Sequence, residues 1–238
     1  MVGPGHNLAM CGADDLSPVP GTATVWPMPD TVGEDVAVII PARNEQLRIA
    51  ATVKAAACLS SLVVVVDDAS RDQTAHLARE AGALVVSRRR SHGKAAAMMT
   101  GAQAVAEFEG RNSPPSPRHL LFLDADLEQT ASEAGKLVTP VREGRADMTI
   151  AVLPAQKTAG GGHGLVVRLA RSGVLYLTGF RATQPLSGMR CISRQAFDAV
   201  QPLARGWGVE AALIVDYPAQ GLPDRRGAHR VSSPGHRP

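Results

Sequence analysis

From Val36 onward, apolar residues fall into short runs, each closed by a polar cluster. Val36–Ala42 (VAVIIPA) is β-branched and leads through Pro41 into a polar stretch. Leu62–Ser70 (LVVVVDDAS) repeats the pattern, with five apolar residues ahead of two aspartates. Ala83–Val86 (ALVV), His119–Asp124 (HLLFLD) and Asp147–Leu153 (DMTIAVL) are three more such runs. Continuous rather than alternating apolar runs predict strands covered on both faces. Between them lie stretches of helical character, about Glu45–Leu59, Asp72–Glu80, Lys94–Glu107 and Thr130–Glu143. Asp72 is suited to cap the second, because its carboxylate accepts from free amides of a first helical turn. Strands alternating with helices predict an α/β fold, a mostly parallel Rossmann-like sheet with helices on both faces. Residues 1–34, rich in Gly and Pro and without periodicity, predict a disordered N-terminal arm.

In such sheets ligands bind outside the carboxyl ends of the strands. Here those ends carry Pro41–Glu45, Asp67–Ser70 and Asp124–Asp126, so three polar clusters converge on one rim. The stretch LLFLDADLE (Leu120–Glu128) poses an electrostatic problem, since three carboxylates lie within five positions. Their mutual repulsion calls for compensation. Carboxylate oxygens suit Mg²⁺ or Mn²⁺, and Mg²⁺ commonly takes substrate phosphates as further ligands. The competing reading needs no metal, because Asp126 or Glu128 would be favourable in a helix's first turn. Asp67, Asp68 and Ser70 either accept hydrogen bonds from a nucleobase or ribose, or simply shape the turn. Gly93 and Lys94 precede a helix, where Gly lets backbone approach a phosphate and Lys94 could neutralise one. The spacing of a Walker A loop is absent.

Composition narrows the picture. Aromatics make up 3% of the 238 residues against 45% hydrophobic, so the core must be aliphatic. The net charge of +3 does not mark a nucleic-acid binder, and the basic run Ser87–Lys94 reads on its own as a solvated loop. Cys11, Cys58 and Cys191 show no metal-binding spacing and no disulfide framework. No apolar run reaches the roughly 20 residues of a spanning helix, and the N-terminus lacks a signal-peptide pattern. The expectation is a soluble, cytoplasmic protein.

Taken together, IIPARNE, VVVVDDASRDQT, HGKAAAMMTG and FLDADLE, in that order, resemble the family 2 glycosyltransferases of GT-A fold. The resemblance covers about Val36 to Tyr217. It implies a metal-dependent transferase that moves a hexose from a nucleotide-diphosphate sugar to an acceptor bearing phosphate or hydroxyl. It also implies a GT-A domain over residues 35–222, with a nucleotide-binding half (35–153) and an acceptor half (154–222). Pro41, Ala42, Asn44 and Glu45 would form the first nucleotide-contacting loop. Asp67 would meet the base, with Asp68 and Ser70 beside it, and Lys94 would lie near the diphosphate. Asp124 and Asp126 would be the D-x-D pair, with Asp126 the direct ligand of Mg²⁺ or Mn²⁺.

Pro185–Phe197 and Gly206–Asp216 are similar to acceptor regions of glucosyl-3-phosphoglycerate synthases and polyprenyl-phosphate sugar transferases. On that likeness Ser187 and Gly188 line the acceptor site, and Glu210 is the catalytic carboxylate. It would take the acceptor proton if the enzyme inverts, or position the sugar if it retains; otherwise it is an acid favourable in a first helical turn. Gly164–Phe180 is amphipathic, with Arg168, Arg171 and Arg181 along it. It reads as a helix packed on the sheet or as an interfacial helix near a lipid-phosphate acceptor, which leaves peripheral contact with the inner membrane face open. A homodimer is also left open, and no nucleic-acid partner is expected.

Two rival classes remain. A nucleotidyltransferase would need a Gly-rich phosphate loop after the first strand, where PARNE stands instead. A truncated, non-catalytic nucleotide-sugar binder would suit the end of the chain, because residues 223–238 lose apolar periodicity where the family continues with a strand and a metal-site histidine. With suitable codons, a frame shifted by one base after Pro223 spells Ile-Val-Glu-Val and then His-Arg-Ala-Thr-Gly. The tail is therefore expected to be a frameshift product; if it is genuine, His229 is the nearest candidate for the metal-site histidine.

Overall fold

The longest β-branched runs become the centre of one sheet, because residues such as Val and Ile pack well on a pleated surface buried on both sides. The computed structural model of the protein describes residues 33–114, 116–152, 163–178, 184, 187–201, 213–214 and 226–230. In chain order these form β1 (Gly33–Ala42), α1 (Ile49–Ala56), β2 (Ser60–Asp67), α2 (Thr74–Glu80), β3 (Leu84–Ser87) and α3 (Lys94–Asn112). There follow β4 (His119–Phe122), a 3-10 helix (Glu128–Ala134), α4 (Gly135–Arg142), β5 (Met148–Val152), α5 (His163–Thr178), β6 (Arg190–Ile192), α6 (Arg194–Ala199) and β7 (Arg226–Arg230). The strands lie in the order β3-β2-β1-β4-β6-β5-β7. β1 to β4 pair in parallel, β6 runs antiparallel to both β4 and β5, and β7 is parallel to β5.

The mostly parallel sheet with helices on both faces is therefore present. Ala37 and Ile39 of β1 face α3, while Val36, Val38 and Ile40 face α1 and α4, so alternate residues serve two aliphatic cores. Gly101 sets how near α3 lies to the sheet. A Cβ there would stand 2.3 Å from Ile39 Cγ2.

Several boundaries differ from the pattern-based expectation. The helix expected over 130–143 is two elements, a 3-10 stretch and then α4. β6 was not foreseen; it has only three residues, and Arg190 lies fully buried within it. β7 falls inside the 223–238 tail, where no regular element was expected, and β1 starts at Gly33, within the expected arm. Residues 1–32 lie outside the described residues. Cys58 takes part in a disulfide, which the wide cysteine spacing gave no reason to expect. Cys191 is free and fully buried, and burial pushes its thiol far up, leaving it inert. In α5 Val174 is buried while Leu169, Tyr176 and Leu177 are exposed. Among the described residues no helix is long and apolar enough to cross a membrane.

At the amino end of the sheet Arg142 of α4 grips Asp35 of β1 through two hydrogen bonds, 2.5 and 2.8 Å long. Burial alone would raise the Asp35 carboxyl, but the Arg142 guanidinium holds it below the ordinary carboxylate value. A depressed folded-state pKa stabilises above the unfolded value and is lost as pH falls through the depressed one. Urea unfolding should therefore show a loss on acidification below about pH 4, worth about 1 kcal/mol or less for a partly exposed pair, which Asp35→Asn removes. Gly101→Ala should lower stability at neutral pH by about 1–3 kcal/mol through overpacking, read from the same unfolding curves.

Candidate functional site

Register brings the predicted clusters together. Pro41 and Ala42 stand opposite Val66 and Asp67 across the β1–β2 ladder, and β4 lies on the other side of β1, so three strand ends share one rim. The loops after β1 and β2 are stitched to each other. Asn44 N–H donates to Ser70 Oγ at 2.9 Å, and Asn44 Oδ1 accepts from Arg71 N–H at 2.9 Å. Glu45 N–H donates to Thr74 Oγ1 at 2.8 Å, and Ser70 N–H donates to Asp67 Oδ1 at 3.0 Å. Asn44 holds a left-handed backbone (φ 55°), a conformation asparagine tolerates better than most residues. The polar groups of Asn44 and Ser70 thus shape the loops. The N-cap of α2 is Gln73 rather than the expected Asp72, although Asp72, one residue earlier, accepts from Thr74 N–H at 3.0 Å.

The two neighbouring aspartates at the end of β2, Asp67 and Asp68, part company. Asp67 is buried, and its Oδ2 makes no hydrogen bond among the described residues, leaving it able to accept one from a ligand. Asp68 is committed to the segment after β3. Its Oδ2 accepts from Ser91 Oγ at 2.6 Å, and its Oδ1 lies 3.1 Å from the Arg88 guanidinium and accepts from His92 N–H at 3.4 Å.

Across the rim, Lys94 opens α3 just after Gly93, whose φ is 85°. Its Nζ donates to Asp124 Oδ1 at 2.7 Å, and both side chains are about one-third exposed. Gly188 closes on this pair. A Cβ there would lie 2.2 and 2.4 Å from the Asp124 oxygens and 2.5 Å from Lys94 Nζ, so only glycine lets this backbone approach. Ser187 beside it is buried with its Oγ unpaired, while its carbonyl accepts from Arg190 at 2.6 Å.

Asp126 is half exposed, 3.5 Å from Arg48, which also lies 4.0 Å from both Glu45 and Glu128. The turn carrying it is pinned by buried Thr52, whose Oγ1 donates to Ala125 C=O and accepts from Glu128 N–H, each at 2.9 Å. The crowded carboxylates therefore have side-chain counter-charges, Lys94 for Asp124 and Arg48 for Asp126. Arg48 and Thr52 escaped the sequence reading, since neither belongs to a motif and both act through α1. Burial raises the Glu45 carboxyl, and repulsion from Asp126 and Asp72 adds to this against the pull of Arg48.

The family model for glycosyl transferase family 2 matches residues 37–198. The chain belongs to that family. Among solved structures this family 2 chain is similar to glucosyl-3-phosphoglycerate synthase from Mycobacterium tuberculosis. In its complex with Mn²⁺, uridine diphosphate and glucosyl-3-phosphoglycerate, identity is 25% and the TM-score 0.70, covering 92% of this chain and 78% of that one. In its complex with phosphoglyceric acid the values are 28% and 0.67, covering 87% and 73%. The sheet is thus of the GT-A, Rossmann-like type. Curated relatives include Glycosyltransferase AglJ of Haloferax volcanii, 29% identical over 67% of this chain and 50% of its own length. An uncharacterized protein of Methanocaldococcus jannaschii is 28% identical over 68% of this chain and 66% of its own. The chain spans about half to two thirds of the length of these curated relatives.

Among the described residues no three His, Cys, Asp or Glu side chains converge as a ready-made metal cage. Two accessible carboxylates still fit a hard cation, because Mg²⁺ is usually held by one or two carboxylates plus water and substrate phosphate. Glu210 lies outside the described residues. His229 stands in β7 opposite Ala151.

The raised Glu45 carboxyl gives a direct check of the acidic edge. Asp126→Asn removes one repulsive neighbour, so the Glu45 pKa should move down, measured by NMR titration of its side-chain carboxyl carbon. An unmoved titration would show that Glu45 and Asp126 do not share a field.

Proposed function

We propose that this family 2 chain is a metal-dependent glycosyltransferase moving a hexose from a nucleoside-diphosphate sugar to a phosphorylated small-acid acceptor. The observation that carries the reading is the contact of Lys94 and Asp124 against the backbone of Gly188. Lys94 and the amino end of α3 suit a diphosphate, since a helix start carries partial positive charge. Asp67 Oδ2 is suited to accept a hydrogen bond from the base or ribose. Asp124 and Asp126 would hold Mg²⁺ or Mn²⁺, which would act as a Lewis acid on the leaving diphosphate. Binding there would displace Lys94 from Asp124 and relieve the repulsion felt by Glu45.

On the acceptor side Ser187 and Gly188 are our choice of contacts, the unpaired Ser187 hydroxyl offering a hydrogen bond. Glu210 is our choice for the carboxylate that takes the acceptor proton or positions the sugar. The M. tuberculosis structures with phosphoglyceric acid support the small-acid acceptor. A polyprenyl-phosphate acceptor is the second reading, supported by exposed Leu169, Tyr176 and Leu177 on α5. In that case the chain would work at a membrane face.

UDP- and GDP-sugars with Mn²⁺ should raise the melting temperature of the full chain, because a ligand that binds only the folded state stabilises it by mass action. Asp126→Ala should abolish the manganese-dependent part of the shift. Transfer of radiolabelled sugar to 3-phosphoglycerate or to polyprenyl phosphate in vesicles separates the two acceptors. A chain that no donor stabilises, with or without manganese, would be a different kind of protein.

A further inference from the structure

The segment between β3 and α3 carries more positive charge than the donor site uses. Arg88, Arg89, Arg90 and His92 line a surface pocket of about 530 Å³. Asp68 organises this pocket from below. It anchors Arg88 at 3.1 Å, Ser91 at 2.6 Å and the His92 backbone at 3.4 Å. Arg43, from the loop after β1, reaches across to donate to Ser91 Oγ at 3.2 Å. Arg43, Arg89 and Arg90 have no acidic partner within 4.0 Å among the described residues. Arg89, Arg90 and His92 are exposed at the mouth, while Arg88 is partly buried.

Three guanidinium groups line this concavity and Arg43 adjoins it through Ser91; like charges so close repel, and of the four only Arg88 has an acidic partner among the described residues. Arginine presents several N–H donors in a planar fork that matches phosphate oxygens, so such a cluster is balanced by a phosphate anion. Its position is set by Asp68, next in sequence to Asp67, and by Lys94, two residues beyond His92. We infer that Arg43, Arg89, Arg90 and His92 form a second phosphate subsite at the outer end of the donor groove. It is separate from the diphosphate region at Lys94, with Asp68 and Arg88 as its positioning residues. The ligand is a phosphate ester or pyrophosphate group, either free or carried as an additional phosphate on a nucleotide. The phrase "donor groove" rests on the function proposed above; the anion chemistry of the pocket does not.

The test uses the full chain and the double variant Arg89→Gln/Arg90→Gln. Both residues are exposed and outside the contacts given to the donor site, so melting without ligand and the manganese-dependent donor shift should not change. In buffer containing EDTA, calorimetric titration with inorganic pyrophosphate should show binding that weakens with added salt, as expected for exposed charges. The double variant should weaken it by about tenfold or more, since each charge-assisted hydrogen bond is stronger than a neutral one. A second arm compares uridine diphosphate with the same nucleotide bearing a ribose 3′-phosphate. Tighter binding of the latter, lost in the variant, assigns the pocket to a nucleotide-borne phosphate. Equal binding of both, with pyrophosphate binding retained, assigns it to a free anion. No pyrophosphate binding by the parent chain, or equal binding by the variant, overturns the subsite. Failure of the donor reading alone would appear only in the manganese arm.

Discussion

The contact between Lys94 and Asp124 holds the site together. It ties the start of α3 to the end of β4, elements separated by a helix and a loop in the chain, and it neutralises one of the rim's aspartates. Gly188 rests its backbone on this pair, so the segment before β6 is located by the same ion pair. Removing Lys94 would take from Asp124 the counter-charge it has among the described residues. On the function proposed above, a cation and a diphosphate would compete for these same two groups. A resting charge arrangement of this kind keeps the rim formed before any ligand arrives.

The two faces of the sheet divide the labour. Aliphatic packing on α3, α1 and α4 fixes the strands, and close approach at Gly101 fixes the depth of α3. The rim is then assembled almost entirely from hydrogen bonds between loops. Rigid strands under polar loops are the usual arrangement for sites at the carboxyl edge of an α/β sheet.

Much of this was legible in the sequence. The buried strands β1, β2 and β4 announced themselves as uninterrupted apolar runs, and Asp67, Lys94, Asp124 and Asp126 do gather at one rim. What escaped were contacts that leave no local mark. Arg48 and Thr52 act from α1 on a turn over seventy residues later. β6 is three residues long and carries a buried arginine, the reverse of a strand signal. β7 lies in a basic stretch whose pairing with β5 owes nothing to apolar pattern. Asp68 read as a partner of Asp67 because the two are adjacent, yet consecutive side chains at a strand end point opposite ways, and Asp68 serves the arginine-rich loop instead.

The reciprocal bonds between the loops after β1 and β2 have an evolutionary corollary. Donors and acceptors run in both directions, from Asn44 to Ser70 and from Arg71 back to Asn44. Inserting or deleting a residue in one loop would orphan groups in the other. Change at this rim is therefore easier by exchange of exposed side chains on a fixed loop frame than by any change of loop length.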